Sequence, residues 1–109
     1  MKVKDLLKYS DIQAVCLTDT ERDISGAYVG DLLSWVMGRA QSDNAWITIM
    51  SNVNVIAVAT LADVSCVILA EGVTLDANLL NLAKEKGVNV FCSSMPIYET
   101  AIWFSGIAK

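Results

Sequence analysis

AWITIMSNVNVIAVATLADVSCVILAEG, residues 45–72, is long, apolar and almost free of charge, with only Asp63 and Glu71 interrupting it. Read by period, it falls into three pieces. Residues 46–50 are a short β-rich run, 53–62 mix Ala with Val and Ile, and 65–69 are again β-rich. That order predicts a strand, a buried helix and a strand, the right-handed βαβ unit of a parallel or mixed sheet. Strands of such a sheet read as unbroken apolar runs because both faces are covered. On this reading Ile56 and Val67 are core. The uncharged run over 45–62 approaches the length that a bilayer span needs. Ser51, Asn52 and Asn54 near its middle, the absence of a flanking Lys or Arg cluster, and the second apolar run that follows at once all favour a soluble core instead.

Working outward, residues 3–9 place Val3, Leu6 and Leu7 on one helical face, with Lys2, Lys4, Asp5 and Lys8 outside, as in a short amphipathic helix. Residues 14–17 are the first candidate strand. The polar TDTERD, residues 18–23, is either a surface turn or a functional loop. Residues 24–29 form a second extended piece ending at Gly30, after which Asp31 is expected to cap a helix over 32–40. QSDN, 41–44, breaks the chain before the central strand. Beyond it, 73–86 repeat Leu75, Leu79, Leu80, Leu82 and Ala83 at helical spacing, with Thr74 or Asp76 as cap and Gly87 as stop. Residues 88–92 are the last strand. Ser93, Ser94 and Pro96 turn into a closing helix on which Tyr98, Ala101, Ile102 and Ser105 share one face. Strands alternating with helices predict a single α/β layered domain over 1–109, with a parallel or mixed sheet of four or five strands flanked by helices.

Composition narrows the function. The chain has 109 residues, 54% hydrophobic, with a net charge of -4. Its Lys and Arg are scattered, which argues against a nucleic-acid surface. Cys16, Cys66 and Cys92 lie tens of residues apart in apolar runs, as buried reduced thiols do, and do not form a disulfide framework or a CxxC metal site. The N-terminus MKVKDLLKYSDI lacks the apolar stretch of a secretory signal, so a cytoplasmic location is expected. There is no His, which removes Ser-His and Cys-His nucleophilic pairs and the commonest general base. Asp19, Asp23, Asp31 and Glu71 are not spaced as an acid-base pair, and neither GxxxxGK[ST] nor GxGxxG occurs. No enzyme activity, metal or cofactor is expected.

The order of these pieces resembles the DRTGG domain family, a module found alone and beside CBS or phosphotransacetylase domains, with a related fold in the N-terminal domain of HPr kinase/phosphorylase. The resemblance runs through ISGAYVGDLLSWVM, AWITIMSNVNVIAVATLADVSCVILAEG and GVNVFCSSMPIYETA, and is greatest to small stand-alone members. Met50, Ser51 and Asn52 stand where fused members carry GDR, and Ala70, Glu71 and Gly72 stand where they carry TGG. Of those naming residues only Gly72 is kept. Stand-alone members often have a His near Asn52, and any role of that His has no counterpart here. The Tyr98, Glu99, Thr100, Ala101 segment matches the family's helix start. The resemblance implies a regulatory or ligand-sensing module, with a structural or protein-interaction subunit as the alternative.

Layout suggests where a ligand would bind. Ligands of open α/β sheets collect at the carboxyl ends of the strands, beside helix N-termini that offer free N–H groups. Gly30 and Asp31, Ser51 and Asn52, Glu71 and Gly72, and Ser93 and Ser94 follow four successive extended pieces. They meet at one edge if the sheet is parallel there. Asp31, Asn52 and Ser94 could equally serve only as helix caps, and it is their grouping that favours a site. Hydroxyls and amides with two carboxylates suit a neutral or anionic small molecule held by backbone N–H groups. A homodimer is also expected, because a short chain with three Trp and four Met buries a limited share of its surface. Trp35, Met37, Trp103 and Phe104 are the candidate interface residues. No nucleic-acid or membrane partner is expected.

Overall fold

The structure, a computed structural model, describes residues 1–108. It is an α/β fold built on one five-stranded mixed sheet in the order β1-β5-β4-β3-β2. The strands are β1 (Ile12–Cys16), β2 (Ala27–Val29), β3 (Ala45–Thr48), β4 (Cys66–Leu69) and β5 (Val90–Ser93). β2, β3, β4 and β5 are mutually parallel, and β1 runs antiparallel to β5 at one edge. The decisive stretch forms the expected unit: β3 and β4 are parallel neighbours with Ala45 opposite Cys66, joined by helix α2 (Val53–Ala62).

Both faces of the sheet are covered, which is why AWIT and CVIL are buried at every position. Side chains alternate between the faces. Trp46, Val67, Leu69 and Val90 point into one core with Val55, Ile56, Val58 and Ala83. The helices on that face are α1 (Leu33–Arg39), α2 and α3 (Ala77–Lys86). Ala45, Ile47, Cys66, Ile68 and Phe91 point into the other, with Phe104 of helix α4 (Ile97–Ile107) and with Val3 and Leu6. Ile56 and Val67 are both core.

Several boundaries differ from the sequence reading. The N-terminal helix is a 3₁₀ helix, Val3–Lys8, in which Val3 and Leu6 are buried and Leu7 is outside. Three residues per turn stack positions 3 and 6 and turn 7 away. β3 ends at Thr48, two residues early, and β5 runs one residue further, to Ser93. α2 is not wholly buried: Val53, Ala57 and Leu61, four apart, lie along its exposed side. Asp76 caps α3 by accepting from the Leu79 N–H at 2.9 Å, so Thr74 is not the cap. Gly87 ends α3 at φ 73, as expected. Cys16 and Cys66 are buried, and burial pushes the Cys66 thiol up to about 12. Cys92 is only half-buried.

TDTERD is tied into the fold at both ends. Just before β5, the buried Asn89 accepts from the Thr18 N–H at 2.8 Å, the Thr18 hydroxyl at 3.2 Å and the Asp19 N–H at 3.0 Å. Its amide donates to the carbonyls of Asp19 and Ser65, each at 3.0 Å. Arg22 donates from Nε to Asp43 at 3.1 Å and from Nη2 to the Asp63 carboxylate at 2.9 Å and carbonyl at 2.6 Å. Burial opposes the Arg22 charge, but the bonds to Asp43 and Asp63 outweigh it and raise its pKa. The Ser42 hydroxyl and then Arg22 hold the Asp63 carboxyl below its ordinary range. Asp43 and Asp63 are left-handed, at φ 69 and 59. Each closes a turn in which an Asp side chain tolerates that conformation.

Candidate functional site

Because β2 to β5 are parallel, their carboxyl ends lie along one edge, and all eight candidate residues are carried there. They divide into three groups by what holds them.

Gly30 and Asp31 lock β2 to the end of β3. The Gly30 N–H donates to the Ile47 carbonyl at 3.2 Å, and the Gly30 carbonyl accepts from the buried Trp46 indole at 2.9 Å. A Cβ on Gly30 would lie 2.9 Å from the Tyr28 ring. Asp31 does not cap α1, whose N-cap residue is Leu32, with no side-chain bond. Its carboxylate instead accepts from the Thr48 hydroxyl at 2.7 Å and the Ile49 N–H at 3.0 Å. It satisfies the donor that β3 leaves free on ending.

Glu71, Gly72, Ser93 and Ser94 surround the start of α4. Glu71 and Gly72 are both left-handed, at φ 62 and 72, and turn the chain so that the Glu71 N–H reaches the Met95 carbonyl at 2.8 Å and the Gly72 N–H the Ser93 carbonyl at 2.9 Å. The Glu71 carboxylate accepts from the Ile97 N–H at 2.8 Å, at the first residue of α4. Pro96 occupies the N-cap position and has no side-chain acceptor, so a carboxylate from the neighbouring strand end supplies the bond. Ser94, exposed, does not cap the helix. Ser93 is fully buried, with its hydroxyl 3.0 Å from that of the buried Thr100 and accepting from the Met95 N–H at 3.1 Å.

Ser51 and Asn52 make the third group, and this is where the edge opens. Asn52 caps α2 by accepting from the Asn54 N–H at 3.0 Å. Both residues line an open depression of about 650 Å³ between α2 and α3, together with Asp76, Asn78, Asn81 and Glu85. Asp76 was expected only as a helix cap, and Asn78, Asn81 and Glu85 were not singled out from sequence. Their signal was readable: Asn78, Asn81 and Glu85, at i, i+3 and i+7, share the outer side of α3. Three amides, a hydroxyl and two carboxylates can donate to and accept from a ligand rich in hydroxyls or amides. Among the described residues no group of three or more Cys, Asp or Glu is placed to hold a metal ion.

The positions of the family's naming residues are neighbours in space. Met50, Ser51 and Asn52 follow β3, Ala70, Glu71 and Gly72 follow β4, and the Ala70 N–H donates to the Thr48 carbonyl at 2.9 Å between them.

The fold and this edge define an α/β domain with a parallel run of four strands whose carboxyl ends carry the polar residues. The chain belongs to the DRTGG domain family, whose model matches residues 11–104. Among solved structures it is similar to the CBS and DRTGG domains of the regulatory region of Clostridium perfringens pyrophosphatase, crystallised with the activator diadenosine tetraphosphate. The TM-score is 0.70 at 14% identity, over 92% of this chain and 43% of that one. The likeness is one of fold, and this chain spans less than half the length of that structure. No curated protein matches it significantly. Among the described residues no helix is long and apolar enough to cross a membrane.

Proposed function

We propose that this domain is a non-catalytic regulatory module that senses a small molecule at the carboxyl edge of its sheet, with the depression beside Ser51 and Asn52 as the point of entry. The observation that supports this most is the parallel order of β2 to β5, which gathers polar residues from four strand ends at one edge. The family's presence in the regulatory region of the clostridial pyrophosphatase supports a regulatory role. Its activator makes nucleotides the first ligands to try. The N-termini of α2 and α3 already hold Asn52 and Asp76 as caps, and Asp76 and Glu85 bring negative charge. The depression therefore favours the uncharged, hydrogen-bonding part of a ligand, such as a nucleoside or polyol, over a bare phosphate.

A thermal-shift screen with adenosine, AMP, ATP, diadenosine tetraphosphate and small polyols tests the reading, since a ligand that binds only the folded state raises Tm. With the compound that raises it most, amide shift changes should cluster at Ser51, Asn52, Asn78 and Asn81. Changes confined to Asn44, Ser65 and Asn89, at the opposite edge, would overturn the placement, and no rise with any compound would overturn the sensing role.

A further inference from the structure

The depression beside Ser51 and Asn52 does not end at the strand edge. It shares Val53 and Leu82 with a second hollow, an open slot of about 250 Å³ that continues between α2 and α3. Val53, Ala57 and Leu61 of α2 and Leu82 of α3 line this slot together with the buried Ile56. Thr60 and Lys86 line it toward the ends of the two helices. Thr60 adds little polarity, because its hydroxyl donates back to the Ile56 carbonyl at 2.9 Å. A surface helix ordinarily turns charged and polar residues outward. The exposed positions of α2, Val53, Asn54, Ala57, Thr60 and Leu61, carry no charge, and Val53 and Leu61 are 55% and 70% exposed.

We propose that the slot receives the apolar part of the ligand, so that the molecule sensed here is a small uncharged amphiphile. Its hydroxyl- or amide-bearing head lies at the strand edge, and its aliphatic or ring body lies between α2 and α3. The head's position rests on the function proposed above, whereas the body's position rests on the slot itself. Continuity supports this class, because two hollows that share Val53 and Leu82 are open to one molecule. Size supports it as well. Val53 to Thr60 spans about 10 Å along α2 at ~1.5 Å per residue, enough for a short alkyl chain or a single ring. An apolar wall beside a few placed polar groups is the ordinary make-up of a small-molecule pocket. Charge decides against an anion at either end. Asp76 and Glu85 line the depression. The other end of the slot lies at the carboxyl termini of α2 and α3, whose partial negative charge is already answered by Lys84 and Lys86 in the last turn of α3. The amides of Asn78 and Asn81 beside the two carboxylates suit a head of hydroxyls.

Amide shift titrations of the full chain with methyl β-glucoside, hexyl β-glucoside and hexanoate separate the head, the head with a body, and the body with an anion. Hexyl glucoside, kept below its micelle threshold, should bind roughly tenfold or more tighter than methyl glucoside, because its chain leaves water. It should move the amides of Val53, Ala57, Leu61 and Leu82 as well as those of Ser51, Asn52 and Asn81. Hexanoate should bind more weakly than hexyl glucoside. Leu61→Glu, at an exposed position, should reduce hexyl glucoside to the affinity of methyl glucoside with the circular dichroism unchanged. Ala57→Leu, which fills the slot without adding charge, should do the same. Shifts at Ser51, Asn52 and Asn81 with a silent slot would overturn this inference and leave the strand-edge function standing. Shifts in the slot with a silent strand edge would do the reverse. Silence at both would overturn the inference, as would shifts of equal size at Tyr98 and Ile102, which are exposed apolar side chains on α4 and would report adsorption to any apolar surface.

Discussion

The two ends of the parallel strands carry the same kinds of residue and use them in opposite ways. At the amino end, Asn44, Ser65 and Asn89 each immediately precede a strand and all three are buried. Their side chains are spent on backbone groups: Asn44 bonds Gln41 and Ser25, Ser65 bonds Asp23 and Asp43, and Asn89 bonds Thr18, Asp19 and Ser65. At the carboxyl end, Thr48, Ser93 and Thr100 form a similar buried layer, but above it Asp31, Asn52, Glu71 and Ser94 face solvent. A polar residue at a strand end is therefore no evidence of a binding site by itself. What separates the ends is whether the side chain has polar capacity left after the backbone is satisfied.

The largest expected effect is at the closed end. Asn89→Ala strands the Thr18 and Asp19 N–H groups and the Ser65 carbonyl, and it should cost about 3 kcal/mol, at ~1–3 kcal/mol for each buried group left unpaired and with partial relaxation. Urea unfolding should show a lower midpoint with an unchanged slope. A loss below about 1 kcal/mol would mean that this end is no more committed than the other.

Next is the bridge from the loop to the turns. Arg22→Ala removes three hydrogen bonds, but Asp63 is largely exposed and Asp43 partly so, so solvent screening limits the cost to about 1 kcal/mol. The same bridge sets an acid limit. Asp63 is held below its ordinary pKa by Ser42 and Arg22, so its folded pKa is lower than its unfolded one. Its contribution is present above the unfolded value of about 4 and is lost as pH falls through the lower folded value. Tm measured from pH 6 down to pH 2.5 should fall less steeply in Arg22→Ala than in the wild type.

The smallest effect belongs to the open end. Ser94→Ala, at an exposed side chain with no cap to break, should change stability by less than about 0.5 kcal/mol in urea. Asn52→Ala, which removes a cap, should cost about 1 kcal/mol and weaken the response to whichever compound stabilises the wild type. An Asn52→Ala variant with an undiminished ligand response would make this end as purely structural as the other.

The strands and helices were legible where burial is two-sided or periodicity strong: β3, α2, β4 and the end of α3 at Gly87 all follow from local pattern. The roles of single polar residues were not. Asp31 reads as a cap because it stands before an apolar helical run, yet the donor it satisfies belongs to Ile49, 18 residues on. Glu71 was expected among the ligand-site residues that follow a strand, yet its carboxylate caps a helix 26 residues away. Asn89 falls inside the run expected as the last strand and was given no role of its own, yet its side chain holds Thr18 and Asp19, 71 and 70 residues back. Propensity and period are properties of neighbours in sequence, whereas each of these partnerships exists only once the sheet order has been set.

The sequence by itself determined the α/β alternation, the buried βαβ unit and the family resemblance, because a run of apolar residues carries its own period and has to be covered. It also put a polar residue within three positions of the end of every parallel strand. Tertiary structure alone decided that those strand ends share one edge, since that depends on β2 to β5 being parallel and on β1 pairing with β5 in the opposite sense. It decided too which polar side chains are left over. Hydrogen-bond capacity is used up by partners that only chain crossing brings together, and the depression beside Ser51 and Asn52 is where the proposed ligand would find what remains.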